Sequence, residues 1–192
     1  MTTYISILRG INVGGHKAIK MSDLRITYNQ LGFTNTESYI QSGNLVFQYP
    51  EMENLDLEIM ISNKIMSSYG HEVPVLVLKL DELKMIIENN PFFNDASKNP
   101  AFLHLTFLAT LPEIERVENL IKIQSPPDEL IYNQKVIYLY CPNGYGNTKL
   151  SNNFIESKLK TTATTRNWKT VNELLSLSNK NNAQKSSDIQ LL

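Results

Sequence analysis

Residues 3–15 read Thr-Tyr-Ile-Ser-Ile-Leu-Arg-Gly-Ile-Asn-Val-Gly-Gly, an apolar stretch followed at once by a loop with three glycines. The first six residues favour a β-strand, and the glycines let the backbone take positive φ or approach a ligand closely. Arg9 adds a planar, permanently charged group that suits a carboxylate or a phosphate. The chain therefore opens with a strand and a candidate binding loop.

The glycine loop matches neither standard nucleotide fingerprint. It contains no G-x-G-x-x-G, and a G-x-x-x-x-G-K-[ST] loop would need Lys and then Ser or Thr where the chain has His16-Lys17. We therefore expect no standard nucleotide site here. The alternative that the glycines only turn the chain stays open.

Hydrophobic periodicity predicts two successive sets of the same elements. The first set has strands at Thr3–Leu8, Glu37–Ile40, Leu45–Tyr49 and Val73–Leu78, with helices at Ser22–Leu31 and Leu55–Tyr69. A connecting helix over Asp81–Asn89 is halted by Pro91. The second set has strands at Phe102–Leu108, Leu130–Tyr132, Val136–Tyr140 and Ala163–Arg166, with helices at Pro112–Ile123 and Ser151–Leu159. A closing helix over Trp168–Leu177 and a polar, frayed tail from Asn179 end the chain.

This order predicts an α+β fold of two ferredoxin-like βαββαβ units in tandem, each an antiparallel sheet with helices on one face. The predicted domains are a first unit over 1–80, a connecting helix and loop over 81–99, a second unit over 100–178 and a tail over 179–192. The connecting helix is amphipathic and lacks the composition of a flexible tether. We therefore expect the two halves to pack into one body.

The topology brings distant loops together. The first two strands of such a unit run parallel, so the glycine loop should face the turn at Ser42-Gly43-Asn44, near the start of the first helix and the loop at Gly70-His71. In the second half, Tyr145–Lys149 should meet Arg166-Asn167-Trp168. Each cluster lies beside a helix N-terminus, which favours anions. If the halves dock, both clusters could line one cleft.

Charge is distributed unevenly along this chain of 192 residues with net charge −1. Residues 1–30 carry net +3 and residues 144–170 carry net +4, whereas residues 51–130 carry net −8. The positive ends favour an anionic ligand, although solvated helix faces also produce such runs. A single cysteine, Cys141, no signal-like segment and no long apolar run together indicate a soluble, cytoplasmic protein without membrane association.

Six ordered sequence blocks resemble a bacterial family of domains of unknown function whose members open with Arg-Gly-Ile-Asn-Val-Gly-Gly. The blocks are Leu8–Gly15, Tyr39–Asn44, Asn90-Pro91-Phe92, His104–Leu108, Tyr145-Gly146 with Lys149-Leu150-Ser151, and Thr165–Thr170. The resemblance implies a duplicated ferredoxin-like fold and no established activity. One departure is Thr148, where the family pattern has serine.

Catalytic and metal chemistry find little support in the sequence. The histidines at 16, 71 and 104 have no metal-ligand spacing, and His104 lies within an apolar strand, so we expect no metal site. Ser42 beside His16 or His71 could be drawn as a hydrolase pair, but turn chemistry explains Ser42 better. The sequence therefore indicates no particular reaction and no particular cofactor.

Two functional hypotheses remain. The first is a binding site for a small phosphorylated or carboxylated ligand, built by Arg9, Gly10, Asn12, Gly14, Gly15, Ser42, Gly43, Asn44, Tyr145, Lys149, Arg166 and Asn167. The alternative is a nucleic-acid or protein-interaction module in which Tyr138, Tyr140, Tyr145 and Trp168 offer stacking surfaces beside basic loops. No RNP1-like run supports that alternative, and the strand tyrosines suit packing equally well.

Overall fold

The computed structural model describes residues 1–123 and 125–189, with side chains described up to residue 183. The chain divides into two compact units. Unit 1 comprises residues 1–85 together with the chain from Asn172 onward, and unit 2 comprises residues 86–171. Residues 190–192 of the predicted polar tail lie outside the described residues.

Unit 1 is built around a four-stranded sheet of order β2-β3-β1-β4, and every neighbouring pair is antiparallel. Its elements are β1 (Thr2–Leu8), α1 (Met21–Gln30), β2 (Thr34–Tyr39), β3 (Asn44–Tyr49), α2 (Asn54–Tyr69) and β4 (Val75–Lys79). Helix α3 (Leu80–Glu88) follows β4 directly.

An aromatic cluster fills the core between this sheet and its helices. Phe47 stacks on Phe33 with ring centroids 4.2 Å apart, and it also contacts the rings of Tyr4 and Tyr28. The buried hydroxyls of Tyr28 and Ser6 share a hydrogen bond of 2.9 Å. Burial raises the pKa of the Tyr28 phenol far above its usual value, so this group is a neutral part of the core.

Unit 2 repeats the pattern with sheet order β6-β7-β5-β8, again antiparallel throughout. Its elements are β5 (Leu103–Leu108), α4 (Ile114–Ile121), β6 (Glu129–Asn133), β7 (Val136–Tyr140), α5 (Asn152–Leu159) and β8 (Ala163–Asn167). Helix α6 (Trp168–Ile189) follows β8 directly, as α3 follows β4. The predicted tandem ferredoxin-like architecture with antiparallel sheets is confirmed.

Helix α6 is longer than the sequence predicts. It continues past Leu177 to Ile189 and includes Asn179, where a frayed tail is expected from the polar composition. Within unit 1, Gln48 on β3 donates to the carbonyl of Asn181 at 2.9 Å, and the Asn181 amide donates to the carbonyl of Asn35 at 2.7 Å. Tertiary hydrogen bonds to the sheet thus stabilise a helical segment with weak intrinsic propensity.

Candidate functional site

The glycine loop of unit 1 is a small hairpin. The His16 N–H donates to the carbonyl of Val13 at 3.0 Å, and φ is +58° at Gly14 and +78° at Gly15. Positive φ at both central residues is typical of a two-residue type I′ turn, for which glycine is favoured. The two glycines are therefore accounted for by the turn, and Val13 at its base is 63% exposed.

Asn12 fastens this hairpin to the rest of unit 1. Its side-chain oxygen accepts from the N–H of Ile19 at 2.8 Å, and its amide donates to the carbonyls of Ile19 at 2.9 Å and Gln41 at 2.8 Å. The residue adopts a left-handed φ of +56°. All of these amide contacts are structural, so Asn12 holds the loop in place and offers a ligand little.

Gly43 makes the close approach between β1 and the β2–β3 turn possible. Its carbonyl accepts from the N–H of Leu8 at 2.8 Å. A β-carbon there would lie 2.6 Å from Cβ of Leu8 and 2.8 Å from Cδ1 of Ile11, and φ is +72°. The glycine loop and the Ser42–Asn44 turn therefore lie against each other, with the fully buried Asn44 donating to Ser42 Oγ at 3.1 Å.

A cavity of about 370 Å³ opens beside these two loops. Its lining residues are Asn12, Ala18, Ile19, Lys20, Asp23, Gln41 and Tyr69. Lys20 is exposed and occupies the N-cap position of α1, where no side chain caps the helix. The cavity therefore lies beside a basic residue and a helix N-terminus, both of which favour a negative charge.

Further basic side chains follow the same stretch of chain. Arg9 is half-buried directly after β1, and its backbone N–H donates to the carbonyl of Pro74 at 2.9 Å. Lys17 adopts a left-handed φ of +47° while its ammonium group donates to the carbonyl of Glu72. A non-glycine residue in this region stores strain of roughly 1 kcal/mol or more, and such strain is concentrated at functional sites.

In unit 2 the structure joins Tyr145 to the last strand. The hydroxyl of Thr165 on β8 donates to Asn152 Oδ1 at 2.7 Å and accepts from the Tyr145 hydroxyl at 3.0 Å. The Thr165 oxygen then has one lone pair left and no proton to donate. The Thr106 hydroxyl, 2.7 Å away, must therefore donate its own proton to Thr165. The Tyr145 ring also stacks on His104, with centroids 5.0 Å apart.

The remaining predicted residues of unit 2 have different surroundings. Arg166 is half-buried, and its Nη1 donates to the Thr164 hydroxyl and to the Thr165 carbonyl, both at 2.9 Å. Asn167 accepts from the N–H of Thr170 at 2.8 Å and thereby caps the start of α6. Lys149 is exposed. The ligand-binding role of all three stays a prediction.

Two titratable side chains of unit 2 are shifted by burial. Burial lowers the pKa of His104, although its Nδ1 donates to the Phe102 carbonyl at 3.0 Å. Burial, with a smaller contribution from the Asp128 carboxylate, raises the pKa of the Cys141 thiol to about 11. Cys141 is fully buried and keeps its proton at neutral pH, which does not suit a nucleophile.

A family comparison covers most of this fold. Residues 1–138 match the model of DUF1697, described as a protein of unknown function. The chain belongs to this family. A solved structure, that of the conserved bacterial protein SP0830 from Streptococcus pneumoniae, matches with a TM-score of 0.72 and 22% identity over 92% of this chain and 98% of that one. At that identity the likeness shows the fold. None of the curated protein sequences matches.

Two of the four aromatic residues considered for stacking on bases are buried in this DUF1697 chain. Tyr138 is 2% exposed and donates to the Ile86 carbonyl at 2.9 Å, and Trp168 is 7% exposed against the ring of Phe93. Lys98 lies over the ring of Tyr140, 4.6 Å from its centroid. Tyr138 and Trp168 therefore offer no open stacking face.

Sequence reasoning missed six of the seven residues that line the cavity. The polar ones among them, Lys20, Asp23, Gln41 and Tyr69, come from the start of α1, the β2–β3 turn and the end of α2, and only Gln41 lies in one of the quoted sequence blocks. The sequence offered one signal for these residues, the prediction that the start of the first helix lies near the glycine loop. Among the described residues, no three His, Cys, Asp or Glu side chains could hold a metal, and no helix is long and apolar enough to cross a membrane.

Proposed function

We propose that this protein binds a small phosphorylated or carboxylated ligand in the unit 1 cavity beside the glycine loop and the β2–β3 turn. The observation that carries the proposal is the position of Lys20, which lines the cavity at the uncapped start of α1. Backbone N–H groups at a helix start and an ammonium group together form a favourable environment for an anion.

The rigid surroundings of the cavity support this proposal. Asn12 makes three hydrogen bonds that hold the loop, and Gly43 admits a contact that no other residue would allow. A site held in one conformation loses less entropy when a ligand binds.

The charge within the cavity narrows the ligand class. Asp23, in the first turn of α1, also lines the cavity and opposes a purely anionic guest. Its carboxylate can accept hydrogen bonds from a hydroxyl or an amine. A phosphorylated or carboxylated compound that also carries a hydroxyl or amino group therefore suits the cavity better than an inorganic anion.

Arg166 and Lys149 of unit 2 form a second candidate anion contact, which we treat separately from the cavity of unit 1. Only the positive charges of these two side chains favour an anion, because the side chain of Asn167 already caps the N-terminus of α6. We also expect the protein to act in the cytoplasm, where a single buried cysteine stays reduced.

Calorimetric titration of the full chain with inorganic phosphate, citrate and sugar phosphates tests the proposal. We expect saturable binding of at least one of these probes, with Kd raised about tenfold by Lys20→Gln because a charge-assisted hydrogen bond is lost. The matched control is Arg25→Gln, which removes an exposed charge from α1 outside the cavity. Equal binding by Lys20→Gln and Arg25→Gln would contradict the proposal.

Oligonucleotide titrations separate the nucleic-acid alternative. Binding that neutralises several phosphates weakens steeply as salt is raised. We expect no binding of single-stranded or duplex oligonucleotides at low salt, because Tyr138 and Trp168 are packed. Oligonucleotide binding that weakens steeply as salt is raised would instead favour the nucleic-acid alternative.

A further inference from the structure

The outer strand β6 of unit 2 has an open hydrogen-bonding edge. A two-residue turn joins it to β7, and Asn133 pairs with Val136 across that turn. The pair that closes a two-residue hairpin is hydrogen-bonded, so the alternate residues Leu130 and Tyr132 direct their N–H and C=O groups outward. Within the described residues, no hydrogen bond engages these four groups.

The other three outer strands are protected against pairing. On β4 the outward N–H of Val77 donates to Glu58 Oε1 at 2.9 Å, and on β8 the N–H of Ala163 donates to Glu156 Oε1 at 2.9 Å. Strand β2 is interrupted by a register shift between Thr34 and Glu37. Carboxylates and bulges of this kind block edge-to-edge association. Strand β6 lacks such a device in the part of the chain that the structure describes.

Exposed isoleucines flank the open edge. Ile131 on β6 is 40% exposed, Ile121 at the end of α4 is 53% exposed and Ile123 is 38% exposed. These three side chains line a groove of about 290 Å³ along the strand. Ile114, seven residues before Ile121 and therefore on the same side of α4, is 69% exposed. An unpaired edge beside apolar side chains is a surface for strand addition.

We propose that β6 pairs antiparallel with β6 of a second copy of this chain, forming a symmetric dimer with a continuous sheet. Centring the two-fold axis on Ile131 pairs every residue of the strand, with Leu130 opposite the partner's Tyr132. The outward N–H and C=O groups of both residues are then satisfied. Like surfaces meet in such a two-fold interface, as closed dimers require.

The charge pattern of the strand fits this self-pairing. Residues 128–135 read Asp-Glu-Leu-Ile-Tyr-Asn-Gln-Lys, with acidic groups at the start and a lysine at the end. Antiparallel pairing brings the Asp128 end of each strand beside the Lys135 end of the other. Glu129, which already contacts Lys98 in its own chain, faces the amide of the partner's Asn133 rather than another carboxylate. Opposite charges near each other across strands stabilise the pair, and like charges would oppose it.

Sedimentation equilibrium of the full chain tests the dimer. We expect a concentration-dependent dimer whose Kd rises about tenfold or more in Ile131→Lys, which places two ammonium groups opposite each other. Because Ile131 is partly exposed, this variant should keep the circular dichroism spectrum of the wild type. Ile40→Lys, at another exposed isoleucine in unit 1, is the matched control and should leave the dimer unchanged.

Disulfide trapping tests the register. In the proposed pairing, the two Ile131 residues form a non-hydrogen-bonded pair with Cα atoms about 4.5 Å apart, which a disulfide can bridge. Ile131→Cys should therefore give a covalent dimer on mild oxidation, whereas Asn133→Cys, which faces Glu129, should not. The buried Cys141 does not compete. A monomer at every concentration, an unchanged dimer in Ile131→Lys, or equal trapping of both cysteine variants would overturn the proposal.

Discussion

Leu8 and Gly43 are joined by a backbone hydrogen bond of 2.8 Å, and their contact leaves no room for a side chain on Gly43. This contact fixes the glycine loop that follows Leu8 against the turn between β2 and β3. The cavity that we assign to ligand binding lies beside that junction, so its shape depends on a residue that contributes no functional group.

Gly43→Ala should destabilise the protein by more than about 2 kcal/mol, because it combines a left-handed φ with a severe clash. Gly10→Ala is the matched control, since Gly10 has a similar φ of +74° but nothing within 4 Å of an added β-carbon. We expect a loss of about 1 kcal/mol there from φ alone. Urea unfolding measures the free energy of unfolding of both variants. Equal losses of stability would show that the contact with Leu8 is unimportant.

Asn12→Ala should loosen the hairpin while leaving the fold intact. The change removes three hydrogen bonds and leaves the N–H of Ile19 without its partner. Hydrogen exchange should accelerate at Ile19 and through residues 12–19, and it should stay unchanged in α2. Exchange rates in the loop equal to those of the wild type would contradict the role assigned to Asn12.

His104 should make the stability of the protein depend on pH. Burial is the main cause that lowers the pKa of His104 in the folded state. At a pH below about 6.5, the usual pKa of a histidine, the unfolded chain therefore binds a proton at His104 more readily than the folded protein does. The stabilising contribution is present in full above that pH and is lost as the pH falls below it. Urea unfolding between neutral and mildly acidic pH should show a smaller decline in His104→Asn than in the wild type. Identical pH profiles would contradict this assignment.

Asp23→Asn should strengthen the binding of inorganic phosphate several-fold, because it removes a carboxylate from the cavity wall. Asp56→Asn is the matched control, since Asp56 is the corresponding first-turn acid of α2 and does not line the cavity. Calorimetry compares the two variants. A similar affinity in both would argue against binding in this cavity.

Much of the fold could be predicted from the sequence because periodicity reports the side of each element that is buried. The strand and helix order was confirmed in both units, and the parallel direction of β1 and β2 correctly placed the glycine loop beside Gly43. The length of α6 could not be predicted, since Asn181 is held by Gln48 and Asn35, which are distant in the chain. Local propensity carries no information about such contacts.

The candidate site was less predictable than the fold. Sequence alone does not show whether a polar loop residue such as Asn12 holds the loop or is available to a ligand. Only the hydrogen bonds of Asn12 to Ile19 and Gln41 show that its side chain holds the loop. Lys20 lay outside every motif, and its importance follows from its place at the start of α1.

A ¹H–¹⁵N correlation spectrum of the full chain, titrated with inorganic phosphate and citrate, tests the binding proposal most directly. We predict saturable shifts concentrated in the amides of residues 18–23 and 41–44, and their loss in Lys20→Gln but not in Arg25→Gln. Shifts confined to other parts of the chain, or the same shifts in both variants, would contradict the proposed site.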